Sequence, residues 1–386
     1  MRWKRRICWT VLVMLGVLLS GCFPTNRVAV NAQGQMVLAL EPDGTYNLLP
    51  REDQDLYLFD LKDRSLRRLT DTPEIEVFPQ WAPNGRQLLY VTWPADAGGE
   101  DEEGEEPSRG STLWVFDPLE ARAVPLLERR GALWDPRFSP DGQEIAFRQA
   151  VDEETLLLEI VDARSGEGRY TLEGFVLAYR WRPDGSLIVW KAREITRVDK
   201  AVRSILTDVL LVHPRREGSR ETLLMQFLLP EGWAPWSPYW EWLLWDLSPD
   251  GQTLLLTLID SPIAFPHGED PPVALYAVEL RGERVERVTR LQEKAGYPAF
   301  SPDGRRFAFL HADPNFQEGM LLSVWDWSTG TAERVVSDPG NYLYPFWIDG
   351  ERLGFVEGRE GGDRIWVVDL RDGSRIDLTA RIRERF

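Results

Sequence analysis

The chain of 386 residues is poor in the side chains that most often carry catalysis or bind metals. It contains 3 histidines and 2 cysteines. It has no His-Glu-X-X-His metal motif, no Gly-X-Ser-X-Gly nucleophile turn and no glycine-rich phosphate loop. We therefore predict no catalytic residue, no bound metal and no cofactor, and we predict that the protein is not an enzyme.

Positive charge is also scarce. The chain has 45 Lys and Arg residues against 62 Asp and Glu residues, which gives a net charge of −17. Such a surface repels nucleic acid, so no nucleic-acid partner is expected. The acidic run at residues 96–106 lacks the alternating Asp spacing of a calcium loop. It is predicted to be a disordered loop, with a calcium site as the alternative.

The N-terminal apolar run, residues 7–19, is too short to cross a membrane, which takes about 20 residues. Basic residues precede this run, and Leu19, Ser20, Gly21 and Cys22 follow its core. This arrangement resembles a bacterial lipoprotein signal, and the resemblance implies that Cys22 is lipidated after cleavage before it. We predict a signal peptide at 1–21 and a lipidated tether at 22–26. A plain secretory signal or an anchor helix is the alternative.

A short turn motif is the most informative feature that the chain does contain. An aromatic or apolar residue followed by a Ser-Pro-Asp-Gly-like turn returns at intervals of 43 to 66 residues. Proline presets the turn and glycine accepts a positive φ, so each copy should join two antiparallel strands. The turns end at Gly34, Gly85, Gly142, Gly185, Gly251, Gly304 and Gly350.

Each turn is followed by strand-like segments of a fixed kind. The third strand of a repeat reads like Asp55–Asp60 or Arg364–Asp369, apolar and closed by an acid. The fourth reads like Leu66–Thr70 or Arg375–Thr379. Four strands per repeat, at this period, indicate the blades of a β-propeller.

The combination resembles the TolB-type propeller over residues 27–386. The fold class is therefore predicted as all-β, a propeller of four-stranded blades. Seven copies of the motif predict seven blades, with six or eight as alternatives. Because the first repeat supplies its own four strands, no strand should be exchanged between the chain ends.

An aromatic cluster supplies the candidate binding site. Residues 230–239 are rich in proline and lack periodicity, which indicates a loop. Exposed aromatic side chains can stack on sugars or fill a partner's pocket, whereas buried ones would cap the propeller's own core. This loop and the insertions at 92–111, 191–206 and 259–272 are predicted to share one face. The candidate binding residues are Trp233, Trp236, Tyr239 and Trp240.

Three functional readings follow. The first is a membrane-anchored, extracytoplasmic propeller that binds an envelope protein without catalysis, as the TolB resemblance implies. The second is a lipoprotein that binds carbohydrate or peptidoglycan fragments through the tryptophan-rich loop. The third is a hydrolase that uses an acidic site, with Asp260, Glu269 and Asp270 as its candidates.

Overall fold

The computed structural model describes residues 28–47, 54–94, 110–152, 155–198, 201–218, 220–229, 245–259, 273–312 and 319–386. These residues form two compact units, which are treated separately below. The first unit comprises the described residues up to Leu177 together with Ile382–Phe386. The second unit is Ala178–Arg381.

The described strands follow each other as seven meanders of four, of which five form separate four-stranded sheets and the third and fourth are joined in one eight-stranded sheet by a short parallel pairing. The predicted all-β class is confirmed, and the number of blades in a closed ring stays a prediction. In chain order the meanders are β1 (Ala29–Val30), β2 (Gln35–Leu40), β3 (Asp55–Asp60), β4 (Leu66–Arg68); β5 (Ile75–Trp81), β6 (Leu88–Trp93), β7 (Ser111–Asp117), β8 (Arg122–Arg129); β9 (Leu133–Phe138), β10 (Glu144–Asp152), β11 (Thr155–Asp162), β12 (Gly168–Leu172); β13 (Phe175–Trp181), β14 (Leu187–Val198), β15 (Ala201–Val212), β16 (Glu221–Leu229); β17 (Trp245–Leu247), β18 (Thr253–Ile259), β19 (Val273–Arg281), β20 (Arg284–Glu293); β21 (Ala295–Phe300), β22 (Arg306–Ala312), β23 (Met320–Asp326), β24 (Thr331–Gly340); β25 (Tyr342–Trp347), β26 (Arg352–Glu357), β27 (Arg364–Asp369), β28 (Arg375–Asp377).

The recurring turn joins the first and second strands of a meander, as predicted. At residues 139–142 the amide of Gly142 donates to the carbonyl of Ser139 at 2.8 Å, and Gly142 has a φ of 69°. The Ser139 hydroxyl donates to Asp141 at 2.6 Å and accepts from the Glu144 amide at 3.0 Å. The motif therefore closes the turn with side chains as well as with the backbone, which explains why serine and aspartate recur in it.

Gly350 is the exception among the motif glycines, because its φ is not positive. Here Asp349 accepts from the amides of Glu351 and Arg352, each at 2.8 Å. The copy at 347–350 lacks the Ser-Pro pair, and the aspartate alone organises a different turn.

The aromatic residue of the motif connects one meander to the preceding one. In the first unit the Trp81 indole donates to the Ala29 carbonyl on β1 at 3.2 Å. In the second unit the Trp347 indole donates to the Ala299 carbonyl on β21 at 2.8 Å. Each ring also lies against a hydrophobic core cluster. A large side chain with one polar atom suits this position, since it fills the space and satisfies a strand carbonyl.

Two local predictions are wrong. Of residues 191–206, predicted as a loop, the described parts 191–198 and 201–206 extend β14 and β15 to 12 residues each, because their β-branched side chains favour strands. Residues 378–379, predicted to end a strand, begin the helix α1 (Leu378–Arg383) instead. Asp377 accepts from the Ala380 amide at 2.9 Å and so caps this helix.

All four strands of the first meander come from the N-terminal stretch, and, as predicted, no strand is exchanged between the ends among residues 28–386 that the structure describes. In the first unit the C-terminal residues contact this meander through side chains. Arg383 donates to Thr45 at 3.2 Å, and the Phe386 ring lies 5.2 Å from the Tyr57 ring.

Candidate functional site

Four meanders carry the same unusual feature in their first strand. In each, the strand pairing shifts at a bulge, and a residue other than glycine has a φ between 47° and 56°. A proline follows each of these residues. The four positions are Phe78 on β5, Asp135 on β9, Tyr297 on β21 and Tyr344 on β25.

This backbone geometry is costly. A bulky side chain at positive φ is strained by about 1–3 kcal/mol, and a following proline restricts the residue further. Bulges of this kind re-aim side chains and often lie beside functional sites. The backbone conformation is the same in all four strands, whereas the side chains are a phenylalanine, an aspartate and two tyrosines. We therefore take these four residues, named here the bulge residues, as the candidate site residues of their own units, two in the first unit and two in the second.

In the first unit the bulge residue Phe78 belongs to an aromatic cluster. Its ring centroid lies 5.8 Å from that of Trp93 and 5.9 Å from that of Trp134. The two tryptophans meet edge to face at 5.0 Å, and the Trp93 indole donates to the Leu133 carbonyl at 3.2 Å. This packing fixes the ends of β5 and β9 against each other.

The bulge residue Asp135 forms an ion pair with Arg137 at 2.9 Å. The two side chains keep 17% and 19% of their surface exposed. An ion pair that is partly open to solvent can exchange partners with a charged or polar ligand, at a lower desolvation cost than a fully buried pair.

Glu76 is a buried acid two residues before Phe78. Its side chain is fully shielded from solvent, and the Thr72 hydroxyl donates to Oε1 at 2.5 Å. Burial raises the pKa of Glu76, the hydrogen bond from Thr72 lowers it and the charge of Asp55 raises it, so that the pKa lies at about 8. The carboxyl group is therefore mostly protonated at neutral pH. Perturbed acids of this kind concentrate at functional sites.

Tyr90 and Asp55 lie near this acid. Burial raises the pKa of the Tyr90 phenol, and the charge of Glu76 adds to the effect. Asp55 is buried and accepts from Arg68 at 2.5 Å, while Thr70 donates to Asp55 at 3.4 Å. The junction between the first and second meanders of the first unit thus combines a neutral acid, an ion pair and hydroxyl groups.

In the second unit the bulge residues Tyr297 and Tyr344 contact each other. Their rings meet edge to face with centroids 5.2 Å apart. Elsewhere in this unit the guanidinium of Arg180 lies 5.3 Å from the Trp245 ring centre and 3.6 Å from Asp246. Asp246 also accepts from the Phe300 amide at 2.8 Å, which ties β17 to β21.

The residues nominated from sequence lie outside the described residues. They are Cys22, Trp233, Trp236, Tyr239, Trp240, Asp260, Glu269 and Asp270. Their roles stay predictions.

The sequence analysis did not identify the bulge residues. A sequence signal exists, because each bulge residue precedes a proline and lies three positions before the aromatic residue of the turn motif.

Two histidines have defined neighbours. His213 lies 3.3 Å from Glu283. His311 Nε2 lies 2.9 Å from the Ser323 hydroxyl oxygen, and His311 Nδ1 lies 3.2 Å from the Ala312 carbonyl oxygen.

Over the described ranges, no group of three His, Cys, Asp or Glu side chains could hold a metal ion. No helix in the described part of the chain is long and apolar enough to cross a membrane.

Comparison with known proteins gives relatives of low identity. The chain is 29% identical over 113 residues to the uncharacterized peptidase YuxL of Bacillus subtilis, a match over 29% of this chain and 16% of YuxL. It is 26% identical over 125 residues to a TolB homolog of Chlorobium chlorochromatii, covering 32% of this chain and 27% of that protein. The uncharacterized protein Atu1656 of Agrobacterium fabrum is 23% identical over 305 residues, 67% of this chain and 92% of Atu1656. No family model matches the chain.

Solved structures agree on the fold. The β-propeller domain of the trilobed protease of Pyrococcus furiosus superposes with a TM-score of 0.59 at 14% identity, over 92% of this chain and 94% of that domain. The chain has a β-propeller fold. An oligogalacturonate lyase of Vibrio parahaemolyticus superposes with a TM-score of 0.57 at 13% identity, over 90% of this chain and 89% of that chain. A puromycin-hydrolyzing peptidase of Mycobacterium tuberculosis superposes with a TM-score of 0.57 at 15% identity, over 94% of this chain and 54% of that chain.

These comparisons overturn one prediction. The protein was predicted not to be an enzyme because its sequence lacks nucleophile and metal motifs. The relative YuxL is named a peptidase, and the propellers of similar shape come from peptidases and a lyase. The prediction is therefore wrong, because the absence of short motifs does not exclude catalysis in a fold that these enzymes share.

Proposed function

We propose that this TolB-like propeller is a protein-interaction module of the cell envelope, and that the bulge residues of each unit contact a partner protein. The observation that carries the proposal is one strained backbone conformation repeated in four first strands with side chains of three kinds, phenylalanine, aspartate and tyrosine. A repeated scaffold with varied side chains suits recognition, since the backbone fixes positions and the side chains select the ligand. The match to a TolB homolog supports this class of function.

The Asp135–Arg137 pair contributes a polar contact next to the aromatic cluster of the first unit. A peptide segment offers backbone amides and carbonyls as well as charged side chains, and this pair can bind both kinds of group. The neighbouring rings would pack against the apolar side chains of the same segment.

We further propose that the protein works outside the cytoplasm, held to a membrane by lipid on Cys22. The support is the basic N-terminal stretch, the apolar run at 7–19 and the small residues before Cys22. A single acyl chain anchors only weakly, and two or more hold firmly.

Affinity purification tests the binding site. The double variant Asp135→Asn/Arg137→Gln should lower the yield of co-purified envelope protein at least tenfold. The matched control is Asp162→Asn/Arg169→Gln, which removes an ion pair of the same 2.9 Å length from a turn of the same unit. Equal losses in both double variants, or no loss in the first, would contradict the proposed site.

A second candidate function is hydrolysis of a peptide bond, which the match to YuxL favours. The His311–Ser323 pair has the distance expected of a base and a nucleophile. Reaction with a serine-directed fluorophosphonate should then label the wild type but not Ser323→Ala. Ser111→Ala is the control, because both serines are 3% exposed. Labelling that persists in Ser323→Ala, or an unlabelled wild type, would exclude this pair.

A further inference from the structure

Glu76 lies on β5, the strand that carries the bulge residue Phe78, and its side chain is fully buried. One carboxyl oxygen, Oε1, accepts from the Thr72 hydroxyl at 2.5 Å. The other, Oε2, is shielded from solvent and has no hydrogen-bond partner among the residues that the structure describes. A carboxylate at this position therefore lacks hydrogen bonds that water supplies to an exposed one, and its charge is costly to keep buried.

The charged and titratable groups around Glu76 do not neutralise such a charge. They are Asp55 on β3, Arg68 on β4, Asp71 and Glu74 before β5, and Tyr90 on β6. Asp55 is buried, and its negative charge opposes a second one on Glu76. Arg68 is the cation of this set, and it pairs with Asp55 at 2.5 Å and with Asp71 at 2.7 Å. Two other acids thus hold the positive charge nearby.

These surroundings make the position of β5 depend on pH. The pKa of Glu76 lies at about 8 while β5 is closed, against 4.5 for a glutamate in water. Closed β5 is therefore most stable below pH 4.5, loses stability as the pH rises to 8 and changes no further above it. An opening that brings Glu76 into water becomes about tenfold more populated for each pH unit within this range.

β5 connects this acid to the aromatic cluster of the first unit. In the pairing of β5 with β6, Glu76 lies opposite Thr92, the neighbour of Trp93. Two residues further along β5, Phe78 has a φ of 56°, and its ring centroid lies 5.8 Å from that of Trp93. The bulge at Phe78 already interrupts the pairing of the two strands. Opening β5 at this place therefore disrupts fewer ladder hydrogen bonds than opening a regular strand, and it relieves the backbone strain.

We propose that ionisation of Glu76 opens β5 at its bulge and displaces Phe78, so that the first unit releases its partner protein as the pH rises. This inference rests on the proposed binding at the bulge residues and adds the regulation of that site. While Glu76 is protonated, β5 stays paired with β6 and Phe78 stays in the aromatic cluster. Once Glu76 is ionised, its carboxylate reaches water only when this part of β5 leaves β6, and the Phe78 ring leaves the cluster with it.

Hydrogen exchange of the full-length protein tests the opening without any partner. Relative to unstructured peptides, the protection of the β5 amides should fall about a hundredfold from pH 5.5 to pH 7.5, a factor of ten for each unit. It should not change in dilute urea, because a local opening exposes little surface. In Glu76→Gln the protection of β5 should be the same at both pH values. Equal protection of wild-type β5 at the two pH values, or the same urea dependence for β5 as for β10 of this unit, would overturn the proposal.

The yield of co-purified envelope protein tests the release. The wild type should retain at least tenfold more of it at pH 5.5 than at pH 8, whereas Glu76→Gln should retain equal amounts. Glu128→Gln, which changes an exposed acid on β8, is the control and should keep the pH dependence of the wild type. A wild-type yield that is equal at both pH values would overturn the release. A wild type that retains no envelope protein at either pH contradicts the proposed function instead, and the exchange of β5 still decides whether Glu76 opens this strand.

Discussion

The buried Glu76 makes the stability of the protein depend on pH in a defined direction. Its pKa rises from 4.5 to about 8 on folding, chiefly through burial. Below pH 4.5 the Glu76 carboxyl is protonated in the folded and the unfolded chain alike, and its ionisation does not lower the stability. As the pH rises toward 8, the unfolded chain loses this proton while the folded chain keeps it, so stability falls. Above pH 8 both states have lost the proton, and the stability no longer changes with pH through this group.

The magnitude follows from the shift. One pKa unit corresponds to about 1.4 kcal/mol, so the full effect is about 5 kcal/mol. Glu76→Gln replaces the protonated acid with a neutral group of the same shape that still accepts from Thr72. The variant should exceed the wild type in stability by about 1 kcal/mol at pH 5, about 3 kcal/mol at pH 7 and about 5 kcal/mol at pH 9.

Urea unfolding at these three pH values measures the difference. Glu128→Gln on β8 is the matched control, because Glu128 is exposed, and its stability difference from the wild type should not change with pH. If the free energy of unfolding of Glu76→Gln differs from that of the wild type by the same amount at all three pH values, the pKa of Glu76 is not raised by folding. A variant less stable than the wild type at pH 9 would show that the carboxylate is held in a favourable site.

Three further predictions concern the turn, the anchor and the aromatic loop. Gly304→Val should cost about 1–3 kcal/mol, since Gly304 has a φ of 69° and a Cβ there would lie 3.3 Å from Pro249; Gly350→Val, at ordinary φ and in open space, should change the melting temperature little. Cys22→Ser should release the protein from membranes or block its processing, which membrane fractionation detects. Replacing the three loop aromatics with alanine should abolish glycan or partner binding at an unchanged melting temperature; a large loss of stability would identify them as core residues. These aromatics are Trp233, Trp236 and Tyr239.

The turns and strands could be predicted because their information is local. Proline, aspartate and glycine set the dihedral angles of the turn, and Ser139 and Asp141 close it with their own side chains. The period of the motif then fixes the number of strands in each repeat. The helix at Leu378 could not be predicted in this way, because Arg375–Thr379 reads like the fourth strands of other repeats.

The candidate site could not be predicted because tertiary structure overrides local preference there. Tyr297 and Tyr344 precede prolines, which favours an extended conformation, yet both have a positive φ. The burial of Glu76 depends on its position beside Asp55 and Tyr90, which come from other strands. No short motif in the sequence marks that neighbourhood.

Photocrosslinking from a bulge residue shows whether a partner protein contacts that residue. Tyr344 and Tyr170 are both half-buried tyrosines, and Tyr170 lies on the outer strand β12. Either can be replaced by p-benzoylphenylalanine in the full-length protein and irradiated in cells. The account predicts a crosslink to one envelope protein from position 344 and none from position 170. Crosslinking to that protein from 170 alone, or from neither position, would contradict the assignment of the binding site to the bulge residues.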